Sequence, residues 1–417
     1  MILTVNKKKL CDNELVHAGF RLCEEINRFG YEAYLVGGCV RDMLMNEEVH
    51  DADVATNMPI DELKDKFYWH DNNGEKHGTI LVNFTGHYIE TTQFRADGKY
   101  SDGRHPDSVE FSKSFEEDTK RRDFTINAIG IDYQGTIVDF QNGQADIEQR
   151  VIRAVGNAEE RFNEDALRMI RAIRFAARFN FSIEQHTYNA ISKLKHNINF
   201  VARERIGEEI KKAASYGAEA FERFISLLNE LNVSSLISQS LINFDDAQIL
   251  LHRYNTEPKD DMPMTKSESV DLLLCFVLAH AKNVQSAVTA LRYDNKLLSL
   301  LKFIKQYQYF GITNVFGEKV LAQLVKASTS KHFSVFLNYM RTFCLFKLSD
   351  AELYDIAQLA HALEDIHEFV AEEMQKLGYS GVKYGEVLNK FTEWYCYRYR
   401  MLRPTEQEII EHLRSVA

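Results

Sequence analysis

At 417 residues the chain is too long for one compact core, so roughly two to four domains are expected. Hydrophobic residues make up 45% and charged residues 27%, an ordinary globular balance, and no apolar run approaches the roughly 20 residues of a membrane span. The formal net charge of −11 speaks against a protein basic all over that coats nucleic acid or DNA, and the six scattered cysteines form neither a disulfide framework nor a metal-ligand spacing.

The first residues, Met1 to Val5, give way at once to Lys7, Lys8 and Lys9, so no signal peptide is expected and the compartment reads as cytoplasmic. Residues 13–29 have helical period, through Leu15, Ala18, Leu22 and Ile26, and stop at Gly30. A strand over 32–36 runs into Gly37 and Gly38, where a backbone without side chains can approach a phosphate closely. Arg41 follows within one turn of a helix over 38–45 and can hold the same anion. Next, Asp51 and Asp53 sit two apart. If 51–55 is a strand, both carboxylates face one way, as two metal ions bridging a triphosphate require.

After a helix over 59–68, strands are expected at 79–84, 87–94, 107–111 and 129–139, with a short helix at 114–119. Glu90 lies inside an alternating β-branched and aromatic segment, where an acid needs a partner. It is the candidate third carboxylate. Arg121 and Arg122 precede Asp123, read here as a helix cap; Arg122 is the phosphate contact, and Arg121 serves structure.

From about residue 143 nearly everything reads as helix. Asp165, Arg168, Arg171 and Arg174 recur every three residues, each step drifting about 60° around the axis. A carboxylate can accept from an exocyclic amine while the guanidinium beside it donates to an unprotonated ring nitrogen. Cytosine and adenine both offer that pair, whereas guanine and uracil do not. Residues 150–205 hold nine arginines in a cationic stripe on an acidic protein. The only segment resembling a linker is 255–267, and the tail from Trp394 to Arg400 interleaves aromatics with arginines, a composition that can grip RNA.

Each piece alone has a plainer reading: a turn, a solvated carboxylate, a basic loop, an intrahelical ion pair worth a few tenths of a kcal/mol. Their order is what points to nucleotidyl transfer. In that order and spacing the blocks at 35–42, 51–56, 121–128 and 164–175 resemble the bacterial class II tRNA nucleotidyltransferases, the CCA-adding enzymes of the polymerase-beta superfamily. The match is dense over 30–180 and loose beyond.

The resemblance implies an α+β fold, with a mixed-sheet head over 1–149 and an elongated helical neck over 150–215. A body over 216–330 and a tRNA-binding tail over 331–417 would follow. It implies Mg2+ on Asp51 and Asp53, Glu90 as third catalytic carboxylate, and triphosphate contacts at Gly37, Gly38, Arg41 and Arg122. Asp165 and Arg168 would read the base, supported by Arg171 and Arg174. The substrates would be tRNA, CTP and ATP, and Asp102 and Arg104 would belong to a flexible loop needed for adding A.

Two departures from relatives stand out: Arg104, His105 and Pro106 where two arginines often precede the proline, and Phe140 where a proline often follows Asp139. A poly(A) polymerase, an enzyme adding only CC or only A, and a non-catalytic RNA-binding protein are the alternatives.

Overall fold

The computed structural model describes residues 13–71, 75, 78–97, 109–238, 244–256, 264–279, 281–307, 335–336, 338–339, 342, 350–401 and 403–416. The expected loop residues Asp102 and Arg104 lie outside these. The chain parts into two compact units, Met1–Tyr216 with Ala220–Gln239, and Gly217–Glu219 with Ser240–Ala417.

The first unit opens with α1 (Glu14–Arg28), started by Asn13, whose side chain accepts from the backbone of Leu15 and Val16. It ends at Gly30, which has φ +87°. Then come β1 (Ala33–Val36), α2 (Gly38–Leu44), β2 (Asp53–Thr56), α3 (Ile60–Lys66), β3 (Tyr68–His70), β4 (Thr79–Phe84) and β5 (His87–Gln93). The small pair β6 (Arg95–Asp97) and β7 (Val109–Phe111) precedes α4 (Phe115–Lys120), β8 (Ile129–Asp132) and β9 (Ile137–Asp139).

Seven strands form one sheet in the order β3-β4-β5-β2-β1-β8-β9. Only β2 and β5 pair in parallel, so the sheet is mixed. The single strand expected over 129–139 is instead the hairpin of β8 and β9, because Gly135 at φ +88° turns the chain. Asp139 manages its turn without the relatives' proline. Its carboxylate accepts from the backbone of Gly143 and Gln144, each at 2.9 Å, opening α5 (Gly143–Gln149).

The period-2 alternation divides the sheet's faces. On one face Leu35, Val54, Ile80, Val82, Ile89, Ile129 and Ile131 pack with Val16, Leu22, Cys23 and Ile26 of α1. Each fully buried aliphatic chain there contributes about 2 kcal/mol. On the other face, Val36, Ala55, Phe94 and Phe115 form a smaller cluster with Tyr34 and Val138. Phe115 stacks on Tyr34 with centroids 4.4 Å apart. Asp53 and Glu90 stand on this second face.

Past β10 (Val151–Ile152), the unit continues as α6 (Ala158–Glu164), α7 (Leu167–Phe179), the short β11 (Ser182–Ile183), α8 (Gln185–Leu194) and α9 (Arg203–Ala214). The second unit is helical: α10 (Phe244–Thr256), α11 (Lys266–Leu278), α12 (Val284–Ala290), α13 (Asn295–Tyr307), α14 (Asp350–Lys376), α15 (Gly381–Met401) and α16 (Glu406–Ser415). Capping boxes built on Thr265 with Glu268, and on Thr405 with Glu408, start α11 and α16. An α+β chain with its sheet in the first part of the sequence and helices after it is what the sequence led us to expect.

The tail aromatics turn out to be packing residues where they are described. Tyr395 and Phe391 are buried in a core with Met374, Ile409 and Leu413, and Trp394 stacks on His412 at 4.2 Å. Arg398 pairs with Glu408 at 3.0 Å. Helical spacing put these rings on the inner stripe of α15, so their interleaving with arginine reflects an amphipathic helix.

Candidate active site

β1 ends against Gly37, whose φ of +75° is left-handed backbone that a side chain would strain. A Cβ there would sit 3.2 Å from Asp53 Oδ2 and 3.8 Å from Arg122 Nη1. At Gly38 it would sit 3.7 Å from Asp51 Oδ1 and 3.5 Å from Arg41 Nη2. The two glycines thus leave open backbone flanked by two carboxylates and two guanidiniums.

Only Asp53 lies in β2; Asp51 precedes the strand, so the expected strand over 51–55 begins two residues late. The carboxylates still converge, because Asp53 stands beside Glu90 in the parallel register of β2 and β5. Burial raises the pKa of Asp53 to about 7, the charges of Asp51 and Glu90 push the same way, and Arg122 opposes them. Burial and Asp51 raise Glu90 also. Among the described residues no three His, Cys, Asp or Glu side chains close into a metal-ligand group. The mutual repulsion and the all-oxygen donor set nevertheless suit a hard divalent cation.

Arg41 is more enclosed than a surface anion contact. It is 4% exposed, donates from Nε to Asp42 Oδ1 (2.8 Å) and from Nη1 to Asn127 Oδ1 (2.5 Å), and lies over the rings of Phe175 and Phe179. Asp42 also accepts from Arg178 at 3.0 Å. These contacts tie α2, under the glycines, to α7.

Arg121 and Arg122 share Asp118, a carboxylate with no exposure. Burial works against its charge, yet Arg122 and Arg121 outweigh that and lower its pKa. This buried anchor holds Arg122 beside Gly37 and Asp53.

Asp123 is not the cap of an α-helix. Its Oδ1 accepts from the backbone of Phe124 (2.8 Å) and from Asn127 Nδ2 (3.0 Å), while Oδ2 accepts from Arg171 Nε and Nη2 at 2.9 and 2.6 Å. Burial opposes its ionisation, but Arg171 and the Asn127 hydrogen bond prevail and hold the pKa down to about 2. A depressed carboxylate pKa contributes stability above its unfolded value of about 4 and loses it as pH falls through the folded value. Asp123→Asn is therefore expected to cost about 2 kcal/mol at neutral pH, and about half that near pH 3. Urea unfolding of both proteins at the two pH values checks it, and an equal deficit at both would refute the linkage.

The segment from Glu164 to Phe175 is not one helix, contrary to its three-residue spacing. α6 ends at Glu164 and α7 starts at Leu167, with Asp165 at the junction accepting from the backbone of Leu167 at 3.1 Å. The side chains of Asp165 and Arg168 each meet partners of their own. The Asp165 carboxylate takes a two-pronged ion pair from Arg205, at 3.1 and 2.7 Å, and Arg168 donates to Glu164 at 2.5 Å and to the carbonyls of Arg161 and Arg121.

Arg174 is 3% exposed and bound to Glu209 Oε2 (2.5 Å) and Tyr216 Oη (2.6 Å). It is a buried brace between α7 and α9. Sequence reading passed over Arg205, Glu164, Glu209 and Asp42 as partners. The signal for Arg205 and Glu209 was present only as acids and bases spaced three or four apart in 203–209, and that for Glu164 only as its place four residues before Arg168, patterns shared by any solvated helix.

Residues 33–153 match the model of the poly A polymerase head domain, and residues 180–233 match a probable RNA and SrmB-binding site of polymerase A. The CCA-adding enzyme of Lactococcus lactis subsp. cremoris is 36% identical over 360 residues, covering 84% of this chain and 81% of that protein. The CCA-adding enzyme of Lactobacillus johnsonii is 45% identical over 214 residues, 51% of this chain and 54% of its own length. The chain thus spans about half the length of several of the curated relatives it matches.

Among solved structures, the Bacillus stearothermophilus CCA-adding enzyme in complex with CTP superposes with a TM-score of 0.72 at 24% identity, over 97% of this chain and 98% of that one. The Thermotoga maritima CCA-adding enzyme complexed with tRNA gives 0.66 at 18% identity, over 100% and 99%. At such identity these two likenesses speak for the fold.

Proposed function

The chain belongs to the bacterial CCA-adding enzymes, and on that premise we propose that it adds CCA to the 3′ end of tRNA from CTP and ATP, without a template, releasing diphosphate. The observation that carries this reading is the convergence of Asp53, Glu90 and Asp51 against Gly37 and Gly38, with Arg122 alongside. Nucleotidyltransferases of this family use divalent metal ions; Mg2+ is our choice here, held by Asp51 and Asp53, with Glu90 as third carboxylate. A bound divalent cation supplies Lewis acidity at the attacking hydroxyl and neutralises charge on the phosphates.

The protein's own groups do the rest. Gly37 and Gly38 admit the triphosphate to the backbone, and Arg122, braced by Asp118, balances its charge. Arg41, buried beneath Gly38, contributes fixed positive charge from within the fold.

For base selection, the Asp165 carboxylate accepts from the exocyclic amine of C or A and Arg168 donates to the adjacent ring nitrogen. To do so Arg168 exchanges Glu164 for the base, while Arg205 keeps its hold on Asp165. Arg171 supports this corner through Asp123, and Arg174 through Glu209. In this reading 1–149 is the catalytic head, 150–215 the base-reading neck, 216–330 the helical body, and 331–417 the tail that holds tRNA. No helix among the described residues is long and apolar enough to cross a membrane, and we assign the enzyme to the cytoplasm.

The test is extension of a tRNA lacking its terminal CCA, with CTP and ATP supplied separately and together. Three additions in order, requiring both nucleotides, are expected. A long product from ATP alone would make it a poly(A) polymerase, and arrest after CC or refusal of CTP would make it a split-activity enzyme.

A further inference from the structure

The sheet face that carries Asp53 and Glu90 continues outward over residues the mechanism does not use. Along β5, Ile89 is buried while Tyr88 and Glu90 stand on the opposite face, Tyr88 being 52% exposed. The register carries that face across two more strands. Tyr88 pairs with Asn83 and Asn83 with Tyr68; Glu90 pairs with Leu81 and Leu81 with His70. Tyr68, on the edge strand β3, is 87% exposed. His70 meets Tyr88 edge-on, with centroids 5.2 Å apart and Nε2 3.3 Å from the phenol oxygen. The intervening Trp69 faces the core, so the alternation keeps these three rings on the catalytic side.

The direction of attack indicates what belongs there. In-line displacement places the attacking hydroxyl opposite the departing diphosphate. The glycines of the triphosphate cradle follow β1, on one side of β2, and Glu90 lies on β5, on the other. The hydroxyl therefore arrives from the β5 side, and the RNA that bears it leads away over β4 and β3.

We propose that Tyr68, His70 and Tyr88 form a platform on which the last bases of the single-stranded 3′ end of the acceptor RNA stack. Tyr88 is about 7 Å along the strand from Glu90, and β3 lies about 10 Å from β5, which leaves room for one or two bases. Stacking on a ring tolerates any base, since every base has a π-face. That suits a primer end whose identity changes at each addition. The proposal rests on the function given above.

The experiment uses the full chain carrying Tyr68→Ala with Tyr88→Ala, beside a Tyr68→Phe with Tyr88→Phe control. Wild-type extension of a CCA-less tRNA tests the function itself. Quenching of a 2-aminopurine placed at the RNA 3′ end, read without nucleotide, tests the platform independently of catalysis. The alanine pair is expected to raise the KM for RNA by about tenfold or more and abolish the quenching, while the KM for CTP and the melting temperature hold. The phenylalanine pair keeps wild-type behaviour, because the ring alone stacks. An unchanged KM for RNA with unchanged quenching would overturn the platform, as would phenylalanine variants as impaired as the alanine ones. An inert wild type that still quenches through these rings would sink the function and leave the platform standing.

Discussion

Asp53→Asn is expected to leave less than about a hundredth of wild-type transfer, a loss of at least about 2.7 kcal/mol of transition-state stabilisation, and to make the protein harder to unfold. Asp53 is the most compromised acid of the site: burial and the charges of Asp51 and Glu90 raise its pKa to about 7. A carboxylate whose folded pKa lies above its unfolded value of about 4 costs stability above pH 4, and the cost grows until pH passes the folded value. Removing the charge relieves that cost, so in the presence of a chelator the variant should melt above the wild type at neutral pH.

Asp51→Ala is expected to lose activity to the same degree, since either change removes one of the two carboxylates assigned to the cation. Transfer above a hundredth of wild type in Mg2+ by either variant would show the metal assignment to be wrong. A variant that loses activity and melting temperature together would assign Asp53 to structure instead.

Replacing Asp165 and Arg168 together by alanine lowers the preference for CTP over UTP, and for ATP over GTP, by roughly tenfold or more, the worth of a good bidentate base contact. The geometry sharpens this test, because each side chain has a brace of its own. Asp165 is held by Arg205, and Arg168 by Glu164 with the carbonyls of Arg121 and Arg161. If they were only structural braces, the double variant would lose stability and keep its selectivity.

A second comparison isolates the brace: Glu164→Gln weakens the hold on Arg168 without touching the donor fork. It should leave discrimination intact and lower the KM for nucleotides, because Arg168 no longer has to leave a charged partner. The ratio of CTP to UTP incorporation, measured beside thermal melting, separates the outcomes. A ratio unchanged in the double variant would sink base reading by this pair.

The periodic elements were legible in the chain itself. Leu15, Ala18, Leu22 and Ile26 mark α1, Gly37 and Gly38 mark the end of β1, and the alternation around Glu90 marks β5, because side-chain period is a local property of backbone geometry. The short edge strand β3 carried no such signal: Tyr68, Trp69 and His70 are three residues, too few for a period. The break between α6 and α7 was hidden for the opposite reason. Three-residue spacing ran straight through Asp165, whose extended backbone, together with the hydrogen bond its carboxylate accepts from Leu167, shows that the helix restarts there.

Composition and motif order by themselves pointed to the charged residues that we propose carry the chemistry: Asp51, Asp53, Glu90, Arg122, Asp165 and Arg168. The tertiary structure decided whom each of them meets. Arg41 is enclosed by Asp42, Asn127 and two phenylalanines, Asp123 turns to Arg171, and Arg174 is buried against Glu209. The ion pairs of Arg174 with Glu209 and of Arg171 with Asp123 join residues 35 and 48 positions apart. A charge's partner is set by distance and burial in three dimensions, where Coulomb energy varies severalfold with local dielectric, and spacing along a chain records neither.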